Sequence, residues 1–125
     1  MIESKLQEEG YALMAAAFEV HHVLGGGMAE EIYQESLEIE LRIRNIPFES
    51  KPPTSASYKS RILLRQYFPD IVANGGILVE LKAVARLLLE HEAQLMNYMR
   101  ITGKSVGYLI NFAPIGKVEW KRFVL

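Results

Sequence analysis

The chain contains no cysteine, and its fourteen glutamates are joined by only one aspartate, Asp70. Without cysteine there can be no disulfide, no thiolate nucleophile and no cysteine-ligated zinc or iron–sulfur centre, which accords with a reducing compartment. No run approaches the ~20 consecutive apolar residues that span a bilayer. The opening stretch MIESKLQEEG places acids where a secretory leader would carry a basic patch and an apolar run. The expectation is a soluble cytoplasmic protein with no membrane partner. Linker-like tracts, low-complexity segments and internal repeats are also missing. At 125 residues the chain has the length of one domain, 1–125, and should remove roughly two-thirds of its unfolded surface from water. Half of its residues are hydrophobic and 23% are charged, a globular rather than a disordered balance.

Net charge is also small, at -1, but unevenly distributed. Up to Leu41 there are nine glutamates against one basic residue, Lys5; from Arg42 onward there are thirteen basic residues against six acidic ones. If the two halves form different faces, the basic one would attract a polyanion such as nucleic acid. An ordinary solvated face, or a dimer with complementary patches, fits the same charge pattern.

Hydrophobic periodicity organises the chain. Leu6, Leu13, Ala16, Ala17, Val20 and Leu24 recur at helical spacing over residues 5 to about 23, with Gly10 expected to weaken the first turns and Gly25 to Gly27 ending the helix. A second helix is expected from Met28 to about Arg44, with Ile32, Leu37, Leu41 and Ile43 as its apolar contacts. Short strands follow: Phe48 to Lys51, a strand or hairpin arm from Tyr58 to Tyr67, and Ile71 to Ala73 joined through Asn74-Gly75 to Ile77 to Lys82. A helix over Glu90 to Ile101 and two strands, Val106 to Asn111 and Val118 to Val124, complete a mixed α/β order.

The informative strand is Ile77 to Lys82. Its period of two puts Leu78, Glu80 and Lys82 on one face and Ile77, Val79 and Leu81 on the other. If the chain returns at Asn74-Gly75, Asp70 and Glu80 approach the same end of the hairpin, where two anionic oxygens can share one divalent ion. Hard oxygen ligands suit magnesium or manganese, and such an ion with a lysine beside it is the apparatus for hydrolysing a phosphodiester. A turn cap at Asp70 plus a surface ion pair between Glu80 and Lys82 accounts for the same residues without catalysis. His91 likewise suits a partly exposed helix position or a satisfied core site as well as a ligand.

Four blocks then stand in order: GMAEEIY, with Gly27, Glu30 and Tyr33 in a G-x-x-E-x-x-Y pattern, followed by VELKAV, HEAQLMNYM and VGYLINF. From Phe18 to Leu125 the chain resembles the GxxExxY protein family, small bacterial and archaeal proteins assigned to the PD-(D/E)xK nuclease-like superfamily. The resemblance implies a restriction-endonuclease-like core, a central mixed β-sheet flanked by helices. It also implies Asp70 and Glu80 as ligands of Mg2+ or Mn2+, and Glu30 as a direct or water-bridged ligand. Lys82 would orient the attacking water, and Gln94 would contact the phosphate or that water. His91 and Tyr98 belong to the helix block without an implied role.

The implied activity is metal-dependent cleavage of nucleic acid, more readily DNA. Lys59, Arg61 and Arg65, on the expected hairpin arm, are placed to touch backbone phosphates; a solvated strand edge blunted by charge is the plainer account. So small a chain covers only a short length of duplex, so a homodimer is expected for cutting two strands. The alternative function is a noncatalytic nucleic-acid-binding or homodimeric assembly protein that keeps the fold.

Overall fold

The computed structural model describes the backbone of residues 2–125 and the side chains of residues 6–125. The side chain of Lys5, the one cation of the acidic front half, lies outside the described residues. The elements follow the order α1 (Ile2–Leu24), α2 (Glu30–Ile43), β1 (Phe48–Ser50), β2 (Ser57–Tyr58), β3 (Arg61–Ile62), β4 (Ile71–Ala73), β5 (Ile77–Lys82), α3 (Leu89–Thr102), β6 (Val106–Asn111) and β7 (Glu119–Val124). Five strands make a central sheet in the order β1-β4-β5-β6-β7, while β2 and β3 form a separate two-stranded hairpin. β5 and β6 are parallel and joined through α3; the other neighbouring pairs are antiparallel. This is the mixed α/β sheet flanked by helices that the sequence leads one to expect.

Alternation along the central strands builds a core on each face. Ile71, Ala73, Ile77, Val79, Leu81, Val106, Tyr108 and Ile110 pack with the α1 and α2 side chains. Val72, Leu78 and Leu109 point the other way, onto Leu95 and Met99 of α3. Fully burying leucines such as Leu37 and Leu41 stabilises by roughly 1.5–3 kcal/mol each. Two glycines set how closely helices approach the sheet. A Cβ on Gly10 would lie 1.9 Å from the Tyr108 hydroxyl, and one on Gly107 would lie 2.6 Å from Met99 Sδ. Gly10 therefore does not weaken α1 as its helix propensity suggests: α1 runs through it, and the missing side chain makes room for Tyr108.

Two details differ from what the sequence leads one to expect. α2 begins at Glu30, not Met28, and buries Tyr33, Gln34, Leu37 and Leu41, leaving Ile32 and Ile43 exposed. Tyr33, Leu37 and Leu41 stand four apart and form one straight stripe, to which Ile32 and Ile43 do not belong. The stretch from Tyr58 to Tyr67 is not one strand: Lys59 and Ser60, both at positive φ (49° and 64°), turn a tight hairpin, and Tyr67 forms only an isolated bridge to Thr54. In the last turn of α1, His21 Nε2 lies 2.8 Å from the carbonyl oxygen of Pro114.

Candidate active site

The β4–β5 hairpin brings the two acids together. Asn74 and Gly75, at φ 53° and 69°, supply the left-handed turn, and the register pairs Ile71 with Val79. One step further along the same register, Asp70 lies opposite Glu80, and opposite residues of an antiparallel pair project to one face. The Asp70 amide donates to Glu80 Oε1 at 3.4 Å, and the Leu81 amide donates to Asp70 Oδ2 at 2.7 Å. The Asp70 carbonyl is held in turn by Gln34 Nε2 at 2.7 Å and by the Lys51 amide at 3.1 Å. Gln34, buried on α2, thus fixes the backbone of Asp70.

Electrostatics reflect this crowding. Burial, then the charge of Asp70, pushes the Glu80 carboxyl from 4.5 up to about 7 against the hydrogen bonds and Lys82 that favour ionisation. Burial also raises Asp70, opposed by the Leu81 amide and by the cations of Lys51 and Lys82. Glu30 is raised by burial first and Asp70 second, with Lys82 pulling it back. The charges of Asp70 and Lys82 therefore act on both Glu30 and Glu80.

The placement of Glu30 explains the G-x-x-E-x-x-Y pattern. Gly25 and Gly27 sit at φ 76° and 89°, conformations that side chains other than glycine adopt at a cost. The buried Tyr33 donates its hydroxyl hydrogen to the Gly25 carbonyl at 2.6 Å and accepts from the Met28 amide at 3.1 Å, while its ring stacks on Phe112 at 4.8 Å. One tyrosine thus fastens the loop leading into α2 to the core, and Glu30 is the first residue of that helix.

A residue the sequence reading passed over completes the group. The Tyr67 hydroxyl donates a short hydrogen bond to Glu80 Oε1, and the Tyr67 ring stacks on Tyr98 of α3 with centroids 3.7 Å apart and planes 4° from parallel. Burial and the Glu80 charge push the Tyr67 hydroxyl above its ordinary value, so it is a donor here. Tyr98, which had no assigned role, thereby supports Glu80 through Tyr67. Tyr67 stands three residues before Asp70 in YFPD, which is its only signal in the sequence; Lys51, whose charge acts on Asp70 and Glu30, has none.

Other candidate residues lie apart. His91 Nδ1 accepts from the Leu88 amide at 3.0 Å, which caps the start of α3. Gln94 is exposed on α3, and its side chain makes no hydrogen bond among the described residues. Lys59, Arg61 and Arg65 are exposed on and just after the β2–β3 hairpin, and none of them makes an ion pair among the described residues.

The donor set fits a hard divalent cation in chemistry: two neighbouring carboxylates, each with one oxygen pinned by a protein donor, and a repulsion between them that a cation would relieve. Among the described residues, no three His, Asp or Glu side chains are already gathered into a cluster able to hold a metal ion. Nor is any helix among them long and apolar enough to cross a membrane.

A mixed sheet between helices on both faces, with paired acids on a central hairpin, has the form of a restriction-endonuclease-like core. The chain belongs to the PD-(D/E)XK nuclease superfamily, whose family model matches residues 7–123. The crystal structure of SSO0001 is similar in fold, with a TM-score of 0.57 at 19% identity over 75% of this chain. The match spans 48% of the SSO0001 chain, about half its length. No curated protein matches the sequence.

Proposed function

We propose that this chain is a magnesium- or manganese-dependent nuclease of the GxxExxY type, hydrolysing phosphodiester bonds of nucleic acid, DNA in the first instance. The observation that carries the reading is Asp70 opposite Glu80 on the β4–β5 hairpin, with Lys82 two positions along the same strand face. Superfamily membership supports it at the level of the fold.

Asp70 and Glu80 would hold the ion, with Glu30 as a direct or water-bridged ligand; the bound cation would supply Lewis acidity and a water of lowered pKa. The protein's own part is to prepare the oxygens. The Leu81 amide engages Asp70 Oδ2 and the Tyr67 hydroxyl engages Glu80 Oε1, so each carboxylate presents its other oxygen. Lys82 orients the attacking water by hydrogen bonding and neutralises charge that builds on the phosphate. Gln94, exposed on α3, meets the phosphate or the water only once substrate is bound. In this reading residues 1–125 form one nuclease-like domain that acts as a homodimer where two strands are cut.

A noncatalytic nucleic-acid-binding or assembly protein is the second reading, favoured by the lack of a gathered three-carboxylate cluster among the described residues. Incubation of the purified chain with DNA and RNA plus magnesium or manganese, beside Glu80→Ala and Lys82→Ala, separates the two. Cleavage should fall at least about a hundredfold in each variant. Equal cleavage by wild type and variants marks a contaminant, and binding without cleavage under every condition supports the second reading.

A further inference from the structure

Between Lys51 and Phe68 the chain carries Lys51, Lys59, Arg61 and Arg65 and no acidic residue, although the protein as a whole has more acids than bases. The same segment exposes Tyr58, Ile62, Leu63, Leu64 and Phe68, with Leu64 at 102% and Phe68 at 56% of full exposure. A groove of about 460 Å³ runs beside it, lined by Leu63, Arg65, Tyr67, Phe68, Tyr98 and Ile101. Tyr67 belongs both to this groove and to the candidate active site, through its hydrogen bond to Glu80.

Apolar side chains this exposed mark a surface that something covers. A second copy of this chain is a poor occupant: across a two-fold interface the patch meets itself, and Lys59, Arg61 and Arg65 would face their own equivalents with no acid in the segment to pair them. A duplex is also a poor occupant, because it presents phosphates and sugars outward and keeps its base faces stacked inside. Aromatic and aliphatic groups interleaved with cations suit a strand whose bases are free to stack while its phosphates meet the cations. The mainly apolar groove offers little to a 2′-hydroxyl, the group by which RNA is distinguished.

We infer that the groove between the β2–β3 hairpin and α3 binds a single strand of DNA, with Phe68 as a stacking platform for a base and Lys59, Arg61 and Arg65 on the flanking phosphates, leading the strand to Glu80. The inference rests on the nuclease reading for its direction, since it names the substrate form delivered to that site. Its readout is binding rather than cleavage, so the two fail separately.

The test is fluorescence anisotropy on the full chain in EDTA, with labelled oligo-dT of about 16 nucleotides, oligo-U of equal length and a duplex of equal length. Oligo-dT should bind at least about tenfold more tightly than either of the others. Phe68→Ala, at an exposed position, should weaken oligo-dT binding roughly 5- to 150-fold. Phe68→Trp should retain affinity and show quenched indole emission when oligo-dT is added. Removing Lys59 and Arg61 should flatten the salt dependence by about 0.7 in log–log slope per lost contact. Duplex or oligo-U bound as tightly as oligo-dT overturns the inference, as does affinity indifferent to Phe68→Ala. It is also overturned if Phe68→Ala changes the sedimenting species in place of DNA affinity, or if the chain binds phosphatidylserine vesicles and not oligo-dT. Absent cleavage with the oligo-dT preference intact sinks the nuclease reading alone; cleavage without that preference sinks this inference alone.

Discussion

Tyr67 donates its hydroxyl hydrogen to Oε1 of Glu80, while its ring lies flat against Tyr98 of α3, on the same face of the sheet. A carboxylate that is half-buried and faces Asp70 is thus held by a neutral donor, and that donor is itself fixed by stacking. Ring and hydroxyl have separable roles, which makes the arrangement testable.

Tyr67→Phe keeps the stack and removes the donor. Glu80 then loses one of the hydrogen bonds that favour its ionised form, so its carboxyl pKa should rise further above the ordinary value. Affinity for manganese, measured by calorimetry, should fall roughly 10- to 100-fold, the usual cost of losing a partner that orients a ligand. Tyr98→Ala should reproduce part of the loss by freeing the Tyr67 ring, whereas Tyr98→Phe should not.

The metal-free protein should lose stability as pH rises through the window set by Glu80. Its folded pKa of about 7 exceeds its ordinary value of 4.5, so the folded state holds more protons than the unfolded one between those values. Stability is therefore greatest below about pH 4.5 as far as this group is concerned, and falls by on the order of 3 kcal/mol by the time the pH passes the folded value. Urea unfolding midpoints across this range check it. Glu80→Gln should flatten the slope, and manganese, which requires the ionised carboxylates, should reverse it.

Gly27→Ala should destabilise the protein by about 1 kcal/mol or more, because φ of 89° disfavours a Cβ. Tyr33→Phe, which leaves the Gly25 carbonyl and the Met28 amide without their side-chain partner, should cost about 1–3 kcal/mol. Thermal denaturation measures both. Since the same loop leads into α2, each should also lower metal affinity through Glu30 more than a change of equal stability cost on the α3 face of the sheet.

Much of the fold is legible in the sequence because its elements repeat at clean periods. α1, α3 and β6 follow from spacing alone, and Asn74-Gly75 locates the hairpin, but a two-residue turn there would count Asp70 against Val79; the loop takes in Gly76 as a third residue, and that extra step puts Asp70 against Glu80. Where periodicity is ambiguous the reading fails, as at α2, whose isoleucines suggest a stripe that the buried Tyr33 displaces. The stretch between Lys51 and Phe68 has no period at all, because its strands are two residues long and held by a tight turn. Tyr67 escapes notice for a related reason. It is brought to Glu80 by tertiary packing against Tyr98, thirty-one positions away, and no local pattern encodes that contact.

Calorimetric titration of the chain with manganese, repeated on Asp70→Ala and Glu80→Ala, tests most directly whether these acids form a metal site. One saturable site in the wild type, lost in both variants while their folds stay intact by circular dichroism, is the expected result. Manganese binding that persists unchanged without Asp70 and Glu80, or a folded wild type that takes up no manganese at all, would contradict the account.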